Sequence, residues 1–202
     1  MNKSGQINLY IGCMFSGKTS ELIRECRRRL HINSKILCIN YTHDKRYTDN
    51  DFIVAHNQDK ISCIRAEKLS EVDNNLVLNS ECIFIDEGQF FSDLKEYTLK
   101  WCEEYNKNIT VIGLDGDFKR NIFGHILDLI PVCDNFYKLK ALCNKCRDGT
   151  EALFTYRLSQ EAEQVVIGSS NYIPVCRYHY IELSTTDNNY SNNGNDENKK
   201  NN

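Results

Sequence analysis

The chain reads as an α/β protein, a mostly parallel sheet covered by helices on both faces, with a small separate lobe after it. Three observations predict this. Short apolar runs bounded by polar residues alternate with segments of helical period over residues 1–138, a rhythm that builds parallel sheets. A glycine-bearing segment joins the first apolar run to the first helical one. From about Leu139 the pattern changes to short β-rich pieces carrying paired cysteines.

The elements follow in order. Residues 6–11 alternate and then meet Gly12, which predicts a first strand. Residues 19–30 predict a helix with Leu22, Ile23 and Cys26 on one side. Its basic run, Arg27, Arg28 and Arg29, lies at the end where cations complement the helix dipole. Residues 35–40 form a short apolar strand through Ile36, Leu37, Cys38 and Ile39. Residues 41–59 are polar and without clear period, and are read as a long functional loop. A brief strand is expected at 61–64 and partial helix at 69–78. Residues 81–86 are a buried strand through Cys82, Ile83, Phe84 and Ile85. Asp93 is placed to cap a helix running to about Tyr105. Residues 109–114 are another buried strand.

Residues 139–183 form the small lobe, with a β-rich stretch at 164–167. After Leu183 the chain is Asn-rich and polar. Such a segment buries too little apolar area to offset its ordering entropy, so residues 184–202 are expected to be a disordered tail.

Bulk properties narrow the function. The formal net charge of −3 provides no basic field for collecting nucleic acid, which disfavours a general DNA or RNA binder. No apolar stretch follows the N-terminal charge, and no run approaches the ~18 residues of a membrane span. A cytoplasmic protein without membrane attachment is expected. Seven of the ten cysteines (Cys13, Cys26, Cys38, Cys63, Cys82, Cys102 and Cys133) are scattered singly and read as reduced core residues.

Two motifs carry chemistry. Gly12, Gly17, Lys18 and Thr19 fit the Gly-x4-Gly-Lys-Thr phosphate loop, after a strand and before a helix. The glycines let successive backbone N–H groups, among them those of Met14, Phe15 and Ser16, curl around phosphate oxygens, and the helix N-terminus favours the anion. Lys18 can reach the β- and γ-phosphates, and the Thr19 hydroxyl can ligate Mg²⁺. The second motif is the apolar strand that ends in Asp86 and Glu87. Asp86 would hold Mg²⁺, and Glu87 could activate or orient a nucleophile. At this point a small-molecule kinase and an ATPase of the helicase or motor class both fit.

Longer context separates them. Asp86, Glu87, Gly88, Gln89, Phe90 and Phe91 form one block; Leu114, Asp115, Gly116, Asp117, Phe118, Lys119 and Arg120 form another, followed by Phe123 and Gly124. With Met14 to Lys18, these blocks resemble the type II, cellular thymidine kinase family from about Gln6 to Tyr180. The resemblance implies a RecA-like ATP-binding domain and a zinc lobe whose lasso loop closes over thymidine. It implies that Glu87 is the general base for the thymidine 5′-hydroxyl and that Asp86 organises Mg²⁺. Asp44 and Arg46 match a family segment that contacts phosphate and metal, Arg46 stabilising charge during transfer. Gln89 lies near the deoxyribose. Met14, Phe90, Leu114, Phe118, Thr155 and Tyr172 match the base pocket, and Val166, Ile167 and Gly168 the lasso. A homotetramer inhibited by thymidine triphosphate is also implied. The chain departs from the family at Cys13, commonly proline, in two residues inserted around Asp148 and Gly149, and in one missing between Gly168 and Tyr172.

Cys143 and Cys146, with Cys176 and His179, form two short ligand pairs around a long intervening segment. Three thiolates and one imidazole suit tetrahedral zinc and leave no water position, so the site is structural. The family commonly has a fourth cysteine where this chain has His179. The phosphate-loop domain is expected to have its own core and to bind ATP without the metal.

Overall fold

The computed structural model describes residues 4–42, 52–55, 57–159, 161, 163–164 and 169–193. In chain order the strands and α-helices are β1 (Gln6–Gly12), α1 (Lys18–His31), β2 (Ile36–Tyr41), β3 (Phe52–Val54), β4 (Lys60–Ser62), β5 (Ile64–Ala66), α2 (Asn74–Asn79), β6 (Cys82–Ile85), α3 (Leu94–Leu99), β7 (Asn108–Gly113), β8 (Asn135–Leu139), β9 (Ala141–Leu142), β10 (Glu151–Ala152), β11 (Phe154–Arg157), β12 (Tyr172–Val175) and α4 (Arg177–Asn193). Six strands make one sheet in the order β5-β2-β6-β7-β1-β8. Every neighbouring pair in it is parallel, so the α/β expectation holds and the sheet is more uniform than foreseen.

Burial explains the parallel arrangement. All four residues of β6 are buried, as expected where helices cover both faces of a sheet. Period-2 alternation divides them between two cores. Ile83 and Ile85 join Leu9, Val111, Phe91 and Leu94 on one face. Cys82 and Phe84 join Leu22, Ile23, Cys26 and Ile112 under α1 on the other. Each fully buried aliphatic or phenyl side chain of this kind is worth roughly 1.5–3 kcal/mol relative to exposure.

Several elements differ from expectation. The stretch 41–59 is not all loop: Phe52–Val54 pairs antiparallel with Lys60–Ser62. Ile53 of that hairpin is buried in the α1 core, which holds it there. The expected strand at 61–64 is divided at Cys63, one half in the hairpin and the other in the main sheet. Residues 43–51 lie outside the described residues. Asp93 does not cap α3 with its side chain. Its carboxylate accepts instead from the backbone N–H groups of Leu69 (3.1 Å) and Ser70 (2.9 Å), capping a 3-10 turn far away in sequence. After Leu99 the α3 helix widens into a π turn, Lys100–Glu104.

The C-terminal portion contains two antiparallel hairpins, β9–β10 and β11–β12. The α4 helix continues to Asn193, ten residues into the segment expected to lack structure. There the hydroxyls of Ser184, Thr185 and Thr186 donate back to the carbonyls of Tyr180, Ile181 and Glu182. These bonds satisfy polar side chains within a helix that composition alone disfavours.

Candidate active site

The phosphate loop is a tight backbone arch between β1 and α1. Gly17 has φ 82° and forms the N-cap of α1 without a side-chain cap. The first helical N–H groups point out of this end of the helix, where an anion is favoured. Phe15 also lies in left-handed backbone, φ 64°. Ser16 Oγ donates to the Cys13 carbonyl at 2.8 Å, and Lys18 Nζ donates to the same carbonyl at 2.7 Å. The lysine is thus folded over the arch whose carbonyl a phosphate ligand would have to replace as its partner. Cys13 is buried. Burial pushes its thiol pKa up despite a backbone hydrogen bond and nearby Lys18, and its Sγ lies 3.5 Å from the Ala152 carbonyl. A protonated, enclosed thiol is a packing group rather than a reactive one.

Opposite the arch, β6 ends in the carboxylate pair. Asp86 and Glu87 are 3% and 7% exposed. Glu87 has φ 55°, and its N–H donates to Asp86 Oδ1 at 2.9 Å. Gln89 Nε2 donates to Glu87 Oε2 at 2.6 Å, and Gln89 Oε1 accepts from the Leu114 N–H at 3.0 Å. The amide of Gln89 therefore ties the end of β6 to the end of β7. Gly113 makes room for it, because a Cβ there would collide with Gln89 Oε1. One cleft is lined by Met14, Phe15, Gly17, Lys18, Thr19, Ser20, Glu87 and Leu114. The phosphate loop and the glutamate share it.

Aromatic residues extend from this cleft. Phe90 stacks on Tyr41 with centroids 5.0 Å apart and meets Phe123 edge-on at 5.3 Å. Phe118 lies under the guanidinium of Arg157, and Tyr180 donates to the Phe118 carbonyl at 2.8 Å. Asp117 accepts from Lys119 N, Asn121 N and Gln164 Nε2. Burial raises its pKa, but those hydrogen bonds outweigh it and hold the carboxyl below its ordinary value. Thr155 Oγ1 accepts the Met14 N–H at 3.0 Å, joining β11 to the phosphate loop. Tyr172 opposes Arg157 in the β11–β12 register. Asp44, Arg46, Val166, Ile167 and Gly168 lie outside the described residues. Sequence reasoning gave no role to Arg157, Asp117, Tyr41 or Phe123. Phe123 was marked only by its position beside Gly124, and no local pattern distinguishes a buried arginine at the end of a strand.

Cys143, Cys146, Cys176 and His179 converge as the spacing predicts, with all ligand atoms within 4.8 Å of one another. His179 Nδ1 is 3.6 Å from Cys143 Sγ and 3.3 Å from both Cys146 Sγ and Cys176 Sγ. Cys146 and Cys176 sulfurs are 3.9 Å apart. Zinc–sulfur bonds of about 2.3 Å in a tetrahedron imply ligand separations of about 3.8 Å, so this donor set fits zinc. His179 Nε2 faces Glu182 at 3.9 Å, which leaves Nδ1 for the cluster. The surrounding core includes Cys143, Ala152, Tyr156, Val175 and Tyr180, and also Cys13 of the phosphate loop.

Comparison with known proteins gives one answer. The thymidine kinase family pattern matches residues 5–180. A thymidine kinase of Oryza sativa subsp. japonica is 38% identical over 184 residues, covering 88% of this chain and 67% of that protein. Thymidine kinase a of Arabidopsis thaliana is 36% identical over 183 residues, covering 88% of this chain and 76% of that protein. The thymidine kinase of vaccinia virus (strain Western Reserve) is 40% identical over 179 residues, covering 88% of this chain and 98% of the viral one. The match begins before β1, passes through the arch and the carboxylate pair, and ends in α4 just beyond His179: the chain belongs to the thymidine kinase family.

Proposed function

We propose that the chain transfers the γ-phosphate of ATP to the 5′-hydroxyl of thymidine, with Glu87 as general base. The observation that carries this reading is the Gln89-held Glu87 carboxylate in one cleft with the phosphate loop. The arch and the α1 N-terminus bind the phosphates, and Lys18 exchanges its contact with the Cys13 carbonyl for phosphate oxygens. Thr19 and Asp86 would hold Mg²⁺, which neutralises phosphate charge when bound. Glu87 takes the proton of the hydroxyl as its oxygen bonds to the γ-phosphorus. The bridging bond to the β-phosphate breaks, and ADP leaves. Arg46 and Asp44 belong to the reacting end in this reading.

The base pocket comprises Met14, Phe90, Leu114, Phe118, Thr155 and Tyr172, with Val166, Ile167 and Gly168 presenting backbone to the thymine edge. Gln89 acts by orienting Glu87 beside the deoxyribose. Residues 1–138 are the ATP-binding unit and also supply Met14, Phe90, Leu114 and Phe118 to the base pocket; 139–183 are the zinc lobe with the nucleoside-binding loop, and 184–202 lie outside the reaction. A cytoplasmic location is part of the same reading. No helix among the described residues is long and apolar enough to cross a membrane. The homotetramer inhibited by thymidine triphosphate also belongs here. The β8 edge of the sheet exposes Phe136 and Tyr137, the kind of edge that association covers. Sedimentation with and without thymidine triphosphate reads the oligomer, alongside inhibition.

The test measures ADP release with thymidine, deoxyuridine, deoxycytidine, single-stranded DNA or no acceptor. Thymidine should stimulate turnover strongly. Deoxyuridine, lacking one methyl group, should lose about 1–3 kcal/mol of discrimination, and deoxycytidine much more because donor and acceptor reverse on its edge. Equal turnover without thymidine, together with stimulation by DNA, would restore the motor reading that the family match does not favour.

A further inference from the structure

Arg157 ends β11, two residues after Thr155, so both side chains lie on the same side of the strand. It is 4% exposed. A guanidinium so enclosed needs many acceptors to compensate for lost water. Its Nη1 donates to the carbonyls of Glu161 (2.9 Å) and Glu163 (2.5 Å). Its Nη2 donates to the carbonyl of Gln164 (3.0 Å) and to the Tyr172 hydroxyl (2.6 Å). The plane lies over the Phe118 ring, 3.6 Å from the centroid. Gln164 is held a second time, from the other side, by Asp117 Oδ2 at 3.0 Å.

The hairpin itself does not depend on these bonds. β11 and β12 pair over four residues on each strand, and Leu158 N donates to the Asn171 carbonyl at 2.8 Å just beyond the pairing. What Arg157 adds is the position of Glu161, Glu163 and Gln164 relative to Phe118. Only a planar fork can bridge several carbonyls while stacking on a ring; an ammonium cannot. We infer that Arg157 is a positioning residue for the nucleoside, fixing the backbone at Glu161, Glu163 and Gln164 and the Tyr172 hydroxyl around Phe118. This rests on the proposed nucleoside site at Phe118, Thr155 and Tyr172. It predicts an effect on nucleoside binding that is separate from the phosphate loop and the metal.

The experiment compares Arg157→Gln, Arg157→Lys and Phe118→Ala in the full chain. It measures KM for thymidine, KM for ATP, kcat and zinc per chain. Arg157→Gln should raise the thymidine KM about tenfold to a hundredfold, as misplaced substrate contacts do. Arg157→Lys should fall between it and the parent, because the charge remains over Phe118 without the fork. ATP KM and zinc content should stay at parent values in both. An unchanged thymidine KM in Arg157→Gln, with a raised one in Phe118→Ala, overturns the role of Arg157 and leaves the nucleoside site intact. Unchanged thymidine KM in Phe118→Ala shows that the site is misplaced, and the inference falls with it. Loss of zinc and ATP affinity in parallel with thymidine affinity would make Arg157 a fold residue and overturn the inference.

Discussion

Glu87 combines a buried carboxylate with left-handed backbone at φ 55°. A non-glycine residue held there costs on the order of 1–3 kcal/mol and survives only when its surroundings over-determine it. Here they do so through the Asp86 carboxylate on its N–H and the Gln89 amide on its side chain. Gln89→Leu keeps similar volume but removes both bonds, leaving Glu87 Oε2 without this donor and the Leu114 N–H without its acceptor. We predict that kcat falls about tenfold to a hundredfold while ATP affinity changes little, the pattern of a lost transition-state alignment. Steady-state kinetics with separately measured ATP binding checks it. An unchanged kcat would show that Glu87 is oriented without Gln89. The Asp-Glu pair was legible because a carboxylate at the end of an apolar strand is a local pattern. The use of Gln89 was not, because it depends on Gly113 of another strand leaving room for the amide.

Among elements, the hairpin β11–β12 and the phosphate loop are packed together more closely than the sequence implied. Thr155 on β11 accepts the Met14 N–H, and Cys13 packs in the core beside the Cys143, Cys146, Cys176 and His179 cluster. These two contacts join the lobe to the arch and give a physical reason to test the expectation that ATP binds without the metal. His179→Ala should lower zinc per chain and weaken both thymidine and ATP binding, thymidine the more. His179→Cys should restore all three, because thiolate is an equivalent zinc ligand. Metal analysis and two binding titrations decide it. Unaltered ATP affinity in a zinc-depleted protein would return the arch to independence. Full zinc occupancy in His179→Ala would remove that residue from the site. The ligand spacing was readable from Cys143, Cys146, Cys176 and His179, since two short knuckles are local features. The contact of Cys13 with the lobe joins residues more than a hundred positions apart, and no local pattern encodes it.

For the whole molecule, the parallel sheet gathers the chemistry at one edge. β1 leads into the phosphate loop, β6 into Asp86 and Glu87, and β7 into Leu114, all at strand C-terminal ends. Open parallel sheets bind ligands at that edge because the loops leaving it converge there. Continuous apolar runs such as Cys82 to Ile85 made the sheet legible. The strand Phe52–Val54 hidden in residues 41–59, the carboxylate of Asp93 used on Leu69 and Ser70, and the extension of α4 were not legible. Each is decided by a tertiary partner or by hydroxyl bonds along the helix rather than by periodicity. The central claim is that this edge performs phosphoryl transfer to a nucleoside hydroxyl with Glu87 as base. Its most direct test is the rate of phosphate transfer from ATP to thymidine by Glu87→Gln, at saturating substrates, beside the parent protein. The replacement preserves shape and retains an acceptor for Gln89 but cannot take a proton. A fall in kcat of about 10²–10⁴-fold, with ATP and thymidine affinities retained, is the predicted result. A kcat near the parent value would contradict the account.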